Sequence, residues 1–148
     1  MEKDISHILN IFKSTNNKLV IEDIERLHPL QLAYIGDAVY ELMVRSAILD
    51  VDLNVNKLNE KARKYVKATS QASAVKILEG IFTEKELSII RRGRNAKINS
   101  SPKNTEIIDY KYATGLECLI GYLYLTEQFE RLGEIFNKIF DLDKGAFI

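Results

Sequence analysis

The sequence is poor in the residues that build disulfides, zinc sites and rigid turns. Its 148 residues include one cysteine, two histidines, two prolines and no tryptophan. A lone cysteine excludes an internal disulfide, and we interpret Cys118, in an apolar run, as a core residue of a cytoplasmic protein. No zinc-type cysteine and histidine group and no Ser-His-Asp order is visible, so we expect His7 and His28 to be structural.

Long apolar runs are also missing. No run reaches the roughly 18 residues that a membrane span requires, and the charged start Met-Glu-Lys-Asp lacks the apolar core of a signal peptide. We therefore expect no membrane partner. Hydrophobic residues at 46% and charged residues at 28% are typical of one ordinary globular domain.

The apolar residues recur at helical spacing, and no segment alternates as a strand would. The spacing predicts helices over residues 4–14, 20–27, 29–49, 55–80, 105–125 and 127–140. Thr83 and Glu86 form a capping box that starts one more helix. The predicted fold class is all-α.

The net charge is zero, but the charges are unevenly distributed. Residues 1–56 carry five basic against nine acidic side chains, residues 57–103 carry twelve against four, and residues 104–148 carry four against eight. A basic middle therefore lies between two acidic segments. That middle is where a polyanion such as RNA would bind.

Residues 32–44 predict a helix that is apolar on nearly every side, with Asp37 in its middle. A helix that is apolar all round is buried, and an aspartate inside it needs a cation, a proton or an opening to solvent. Gly36 costs roughly 1 kcal/mol of helix stability relative to alanine. We interpret that cost as a sign that another backbone approaches closely at this point.

Residues 113–125 repeat this pattern, with Glu117 as the only charge and Gly115 and Gly121 beside it. If the two helices lie side by side, Asp37 and Glu117 converge and either share a proton or bind a metal ion. The alternative pairs each acid with a lysine or arginine of a neighbouring helix, and the sequence leaves both open. Glu41 could support the site, but it is better explained by an ion pair with Arg45, four residues on.

Residues 91–103 hold five cations and no acid. Arginines also favour a helix C-terminus through the macrodipole, but that explains only one or two of them. We therefore predict phosphate binding here, and expect Gly93 to fray or bend the helix. The predicted RNA-binding residues are Arg91, Arg92, Arg94, Asn95, Lys97, Lys103 and Asn104.

Three of these segments are similar to a known family. Residues 34–41, Tyr-Ile-Gly-Asp-Ala-Val-Tyr-Glu, resemble the signature helix of the ribonuclease III nuclease domain, and residues 114–121 resemble its second acidic helix. The Arg-Arg-Gly-Arg-Asn-Ala block at 91–96, with Pro-Lys-Asn at 102–104, resembles the Mini-ribonuclease III branch, which has no separate double-stranded-RNA-binding domain. The resemblance covers roughly residues 29–140. We expect residues 29–148 to form the nuclease domain and residues 1–28 an N-terminal helical extension.

The resemblance implies an all-α, homodimeric endonuclease that cuts double-stranded RNA with Mg²⁺. Asp37 and Glu117 match the essential acidic residues of the family. Full-length ribonuclease III has further site carboxylates where this chain has Ala33 and Thr114. One Mg²⁺ on Asp37 and Glu117 is therefore the expected cofactor, because Mg²⁺ commonly uses one or two carboxylates plus substrate phosphate.

The family points to the ends of precursor 23S ribosomal RNA as the substrate, and leaves open an accessory protein of the large ribosomal subunit. The alternative from another functional class is a non-catalytic helical RNA-binding or ribosome-assembly module. In that case the acids are structural and only the basic block matters. Mg²⁺-dependent cleavage distinguishes the two hypotheses.

The signature helix also carries more apolar surface than one small domain can easily cover. Tyr34, Tyr40 and Met43 add large side chains to it. Exposed apolar patches of several hundred Å² usually mark interfaces. We therefore predict a two-fold dimer through this helix, which would present one site to each RNA strand.

Overall fold

The computed structural model describes residues 16, 19–97 and 106–142, and within these ranges the protein is helical and has no strand. A 3₁₀ turn at Glu79–Ile81 accompanies the α-helices. The helices are α1 (Ile21–Ile24), α2 (Pro29–Ile48), α3 (Val55–Val66), α4 (Ala68–Ile77), α5 (Glu84–Arg94), α6 (Ile107–Leu125) and α7 (Phe129–Leu142). The all-α prediction is confirmed, whereas the helix predicted over 4–14 lies outside the described residues.

Helix α6 is the centre of the fold. It makes its most extensive contacts with α2, α5 and α4. Leu116, Cys118, Leu119 and Ile120 have no exposed surface, as the almost continuous apolar sequence of this helix requires. The thiol of Cys118 donates a hydrogen bond to the carbonyl oxygen of Pro29 at 2.7 Å, which agrees with a core role for this residue.

Side-chain caps fix the starts of α2 and α5. His28 Nδ1 accepts a hydrogen bond from the Leu30 N–H at 3.0 Å, and Pro29 occupies the first position of α2. At the start of α5, Thr83 Oγ1 accepts from the Glu86 N–H at 3.1 Å, and Glu86 Oε1 accepts from the Thr83 N–H at 2.9 Å. The predicted capping box is therefore present, and His28 has the structural role that we expected.

The prediction of one long helix over 55–80 is wrong. Lys67 has an extended backbone, with ψ of 148°, and it separates α3 from α4. Neither glycine nor proline marks this break, and both helices bury apolar residues, so the periodicity continues across it. The separate helix α4 packs along α6.

None of the described helices combines the length and apolar character needed to cross a membrane.

Candidate active site

The site is built on a close crossing of α2 and α6. A Cβ atom on Gly36 would overlap the main-chain carbonyl of Glu117 and lie 2.8 Å from the Gly121 nitrogen. A Cβ on Gly121 would in turn overlap the carbonyl oxygen of Leu32. The two glycines therefore allow the backbones of α2 and α6 to come into contact. This is the close approach that we predicted from the unfavourable helix propensity of Gly36.

This crossing brings Asp37 and Glu117 into electrostatic contact. Burial and then the charge of Asp37 raise the pKa of Glu117 to about 8. Burial and then the charge of Glu41 raise the pKa of Asp37 above its usual value. Asp37 ionises first, so Glu117 titrates beside an existing negative charge and keeps its proton at neutral pH when no cation is present.

Asp37 is less enclosed than the sequence suggested. Its side chain is exposed on the outer face of α2, with Tyr34 and Ala38, so the helix is not buried on all sides. Opening to solvent lowers the cost that an aspartate in an apolar helix would carry, and the burial that remains still raises the pKa of Asp37. Glu117 is the more buried member of the pair.

The alternative in which each acid pairs with a basic side chain is not found. Among the described residues, no lysine or arginine forms an ion pair with Asp37 or Glu117. Glu41 accepts a hydrogen bond from Arg45 at 2.7 Å, which confirms the predicted ion pair. Glu117 thus lies near the charge of Asp37, and neither acid has a basic partner among the described residues.

A third helix supplies a neighbour that the sequence analysis missed. Gln71 of α4 is only 2% exposed, and hydrogen bonding from its side chain lowers the pKa of Glu117. Such donation favours the ionised carboxylate and opposes the effect of burial. The sequence does contain one indication of this role. Gln71 lies four residues before the buried Val75, so it is a polar residue on the apolar face of α4.

The donor set fits a hard cation with few protein ligands. Across the described part of the chain, no group of three or more histidine, cysteine or acidic side chains could hold a metal ion. Thr114 uses its hydroxyl to donate to the Tyr110 carbonyl oxygen at 2.9 Å, and Ala33 has no donor atom. Two carboxylates remain, which suits Mg²⁺ completed by water and a substrate phosphate.

The arginine block occupies the last turn of α5 and the residues that follow it. Arg91, Arg92, Asn95 and Lys97 are exposed and Arg94 is half-buried. None of these three arginines forms an ion pair with an acid among the described residues. Their charge is therefore available to an external anion, whereas Lys103 and Asn104 lie outside the described ranges.

Gly93 does not fray this helix, contrary to our expectation. A Cβ at Gly93 would lie 2.6 Å from the Cys118 sulfur and 2.9 Å from the Gly115 α-carbon. Gly93 is therefore needed for the close packing of α5 on α6, and α5 continues to Arg94. The same contact fixes the arginine block relative to the helix that carries Glu117.

Lys76 extends the basic surface, although the sequence analysis did not select it. Its ammonium lies 5.0 Å from the centre of the Tyr112 ring, and the Arg94 guanidinium lies 5.2 Å from that centre. Arg94 also donates to the Tyr112 hydroxyl at 3.2 Å. Lys76 lies 3.6 Å from a carboxylate oxygen of Asp109, so this cluster is only partly neutralised.

The exposed face of α2 differs in part from the predicted dimer face. Tyr34 is 84% exposed and Leu42 is 65% exposed, so large apolar side chains do project from this helix. Tyr40 does not contribute, because it is buried and its hydroxyl donates to the Tyr65 carbonyl oxygen at 3.1 Å. Met43 is only partly exposed.

Comparison with known proteins places these features in a family context. Residues 30–128 match the model of the Ribonuclease III domain. The chain is similar to the Mini-ribonuclease 3 of Clostridium tetani, with 45% identity over 82% of each chain, and to that of a Thermoanaerobacter species, with 47% identity over 84% of this chain and 88% of the relative. A crystal structure of a Fusobacterium nucleatum protein matches with a TM-score of 0.74 and 31% identity, covering 82% of this chain and 98% of that one.

Proposed function

Because this chain belongs to the ribonuclease III family, in its Mini-ribonuclease 3 branch, we propose that it cleaves both strands of duplex RNA at Asp37 and Glu117 with Mg²⁺. The chain is an endoribonuclease, and this family acts on double-stranded RNA with the help of a metal ion. The identity of the metal and the roles of the residues are our proposal.

The observation that carries the proposal is a carboxylate pair without a protein cation. Burial and the charge of Asp37 raise the pKa of Glu117, and no described lysine or arginine forms an ion pair with either acid. A divalent cation would offset these effects and displace the proton from Glu117. Bound there, Mg²⁺ would activate water for attack on the phosphate and stabilise the leaving 3′ oxygen.

The protein's own residues then hold the substrate around this pair. Arg91, Arg92, Arg94 and Lys97 would neutralise phosphates, while Asn95 offers an amide to a phosphate or a 2′-hydroxyl. Duplex RNA is recognised mostly by shape and by such backbone contacts, so this surface is sufficient without base-specific side chains. We extend the same role to Lys103 and Asn104 on sequence grounds alone.

Cutting both strands requires two sites, and the exposed face of α2 offers a way to supply them. Tyr34 and Leu42 would be covered by the same face of a second copy across a two-fold axis. Asp37 lies on this helix, so the dimer would bring the two carboxylate pairs to one shared face. We propose that the homodimer is the active form.

The proposed natural substrate is the duplex formed by the ends of precursor 23S ribosomal RNA in the cytoplasm. The names of the relatives specify a ribonuclease and not this substrate, so the RNA is inferred from the family resemblance. An accessory protein of the large ribosomal subunit would be needed only if the naked precursor is cut poorly.

The direct test is incubation of the full chain with long duplex RNA, with and without Mg²⁺, read on a gel. We expect cleavage products only with Mg²⁺, and none from single-stranded RNA of the same sequence. Retained RNA binding without cleavage in any metal would contradict the proposal. It would favour a non-catalytic RNA-binding module instead.

A further inference from the structure

A cleft of about 190 Å³ lies between α4, α5 and α6, beside the arginine block. Its polar lining comes from Lys76 of α4, Glu79 of the 3₁₀ turn, Arg91 and Arg94 of α5, and Tyr112 of α6. Pockets that hold whole small molecules usually measure roughly 300–1,000 Å³. This cleft therefore fits one chemical group of a larger ligand rather than a complete small molecule.

We propose that the cleft binds one phosphate of the RNA backbone and that Lys76 neutralises this phosphate. The inference rests on the proposed function, because it extends the RNA surface of the same enzyme from α5 to α4. Lys76 and Tyr112 lie outside the arginine block, so they add a second helix and a third helix to that surface.

Two cations converge on the ring of Tyr112. The Lys76 ammonium lies 5.0 Å from the ring centre, and the Arg94 guanidinium lies 5.2 Å from it. The two positive charges are therefore no more than about 10 Å apart, a separation at which salt at about 0.1 M screens them only in part. A phosphate in the cleft would offset this repulsion, because it attracts both cations.

The acid in the lining does not neutralise them. Glu79 is exposed, and among the described residues it forms no ion pair with Lys76 or Arg94. The buried Val75 and Ile90 complete part of the lining. Apolar walls reduce the local dielectric constant, so a phosphate is attracted more strongly here than on an open surface.

Tyr112 also orients Arg94 at the cleft. The hydroxyl of Tyr112 accepts a hydrogen bond from Arg94 Nη1 at 3.2 Å, and Arg94 is half-buried. A guanidinium has five N–H donors, so this bond leaves others for a phosphate oxygen. A side chain that is already ordered loses less conformational entropy when the ligand binds.

The alternative role for Lys76 is an ion pair that stabilises the start of α6. Lys76 Nζ lies 3.6 Å from a carboxylate oxygen of Asp109, which is too long for a hydrogen bond, and the lysine side chain is half exposed. Exposed ion pairs of this kind contribute little to stability. Asp109 is also favoured by its place in the first turn of α6, without any help from Lys76. These features leave Lys76 available to an external phosphate.

The test is filter binding of duplex RNA at several salt concentrations, with Mg²⁺ omitted to prevent cleavage. Each neutralised phosphate contributes about 0.9 unit to the slope of log affinity against log salt. Lys76→Gln should lower the slope by about that amount, so its loss of affinity should shrink roughly three- to fourfold between about 50 and about 200 mM salt. Lys76→Arg keeps the charge and should keep the wild-type slope.

Two controls separate this role from a general charge effect and from the ion pair. Lys138→Gln removes an exposed lysine of α7, a helix that does not line the cleft, and should leave the slope unchanged. Asp109→Asn breaks the ion pair but keeps Lys76, so it should bind the duplex at least as tightly as wild type. The inference would be overturned by a wild-type slope in Lys76→Gln, by an equal fall in Lys138→Gln, or by an equal loss of affinity in Asp109→Asn.

Failure of the proposed function gives a different result. A wild-type protein that does not bind duplex RNA would overturn both claims. Wild-type binding and Mg²⁺-dependent cleavage, together with an unchanged slope in Lys76→Gln, would overturn this inference alone. Wild-type binding without cleavage in any metal, together with the lower slope in Lys76→Gln, would overturn the proposed cleavage and still support the phosphate contact.

Discussion

The backbone of Gly36 lies directly against the main-chain carbonyl of Glu117. Because Gly36 directly precedes Asp37, this contact fixes the backbone beside Asp37 to the backbone of Glu117. This contact explains why the signature helix tolerates a glycine in its middle. It sets the position of Asp37 relative to Glu117 through two rigid helices rather than through flexible loops. Precise placement of this kind is what a site with few metal ligands needs.

Gly36→Ala should therefore damage both stability and activity. The added Cβ has no room against the Glu117 carbonyl, so α2 and α6 must move apart. Overpacking of a core typically costs about 1–3 kcal/mol, which urea unfolding would measure. Gly80→Ala is the matched control, because nothing lies within 4 Å of its added Cβ and Gly80 has no positive φ. Equal stability of the two variants would contradict the described crossing.

Helical periodicity of the apolar residues predicted most of the helices. Asp37 and Glu117 could be selected from the sequence because a charge in an apolar helix is costly. The break at Lys67 was missed because it interrupts no apolar pattern and carries no glycine or proline. Gln71 was missed because its partner lies on a different helix, which only the tertiary structure reveals.

The directions of side chains were harder to predict than the elements. Tyr34 and Tyr40 looked equivalent on the signature helix, yet one is exposed and the other is buried. Gly93 looked like a helix breaker because the sequence does not show that Gly115 and Cys118 press against it. The catalytic roles of Asp37 and Glu117 stay predictions.

Removing the charge of Glu117 should change how stability depends on pH. Its pKa is about 8 in the folded protein, against a usual value of 4.5. Between these values the folded state holds a proton that the unfolded state has lost, so wild-type stability should fall as pH rises from about 4.5 to about 8.

Glu117→Gln removes this pH-dependent contribution to the free energy of unfolding. The free energy of unfolding of the variant, minus that of the wild type, should therefore increase as the pH rises across the same range. Urea unfolding in the presence of EDTA at several pH values measures the difference. A difference that is constant with pH would show that Glu117 ionises normally. Added Mg²⁺ should reduce this difference in the free energy of unfolding, because the metal stabilises only the wild-type protein, which has the carboxylate.

Replacing Arg91, Arg92 and Arg94 with alanine should weaken duplex binding and flatten its salt dependence. Each lost phosphate contact should lower the slope of log affinity against log salt by about one unit. Filter binding at several salt concentrations, with Mg²⁺ omitted to prevent cleavage, gives this slope.

The matched control removes three exposed cations from other parts of the chain, Arg26, Lys57 and Lys138. It makes the same change in net charge without altering the end of α5. A slope that stays at the wild-type value in the arginine variant would show that these arginines only stabilise the C-terminal end of α5 and do not contact phosphates. Equal slopes in the two triple variants would indicate a general charge effect.

The dimer should depend on the exposed apolar face of α2. Light scattering at micromolar concentration should give about twice the chain mass of 17.0 kDa. Leu42→Glu places a charge on this face and should produce monomers, whereas Ile77→Glu changes an exposed apolar residue of α4 and should not. A wild-type monomer that still cuts both strands would contradict the two-fold arrangement.

The central claim is that the Asp37 and Glu117 carboxylates make the site catalytic. The measurement is the rate of Mg²⁺-dependent cleavage of an end-labelled RNA duplex by Asp37→Asn, Glu117→Gln and, as a matched loss of one acid, Glu41→Gln. Our account predicts that the first two variants lose cleavage while they remain folded and still bind the duplex, and that Glu41→Gln cuts at close to the wild-type rate. Near wild-type cleavage by Asp37→Asn or Glu117→Gln would contradict it.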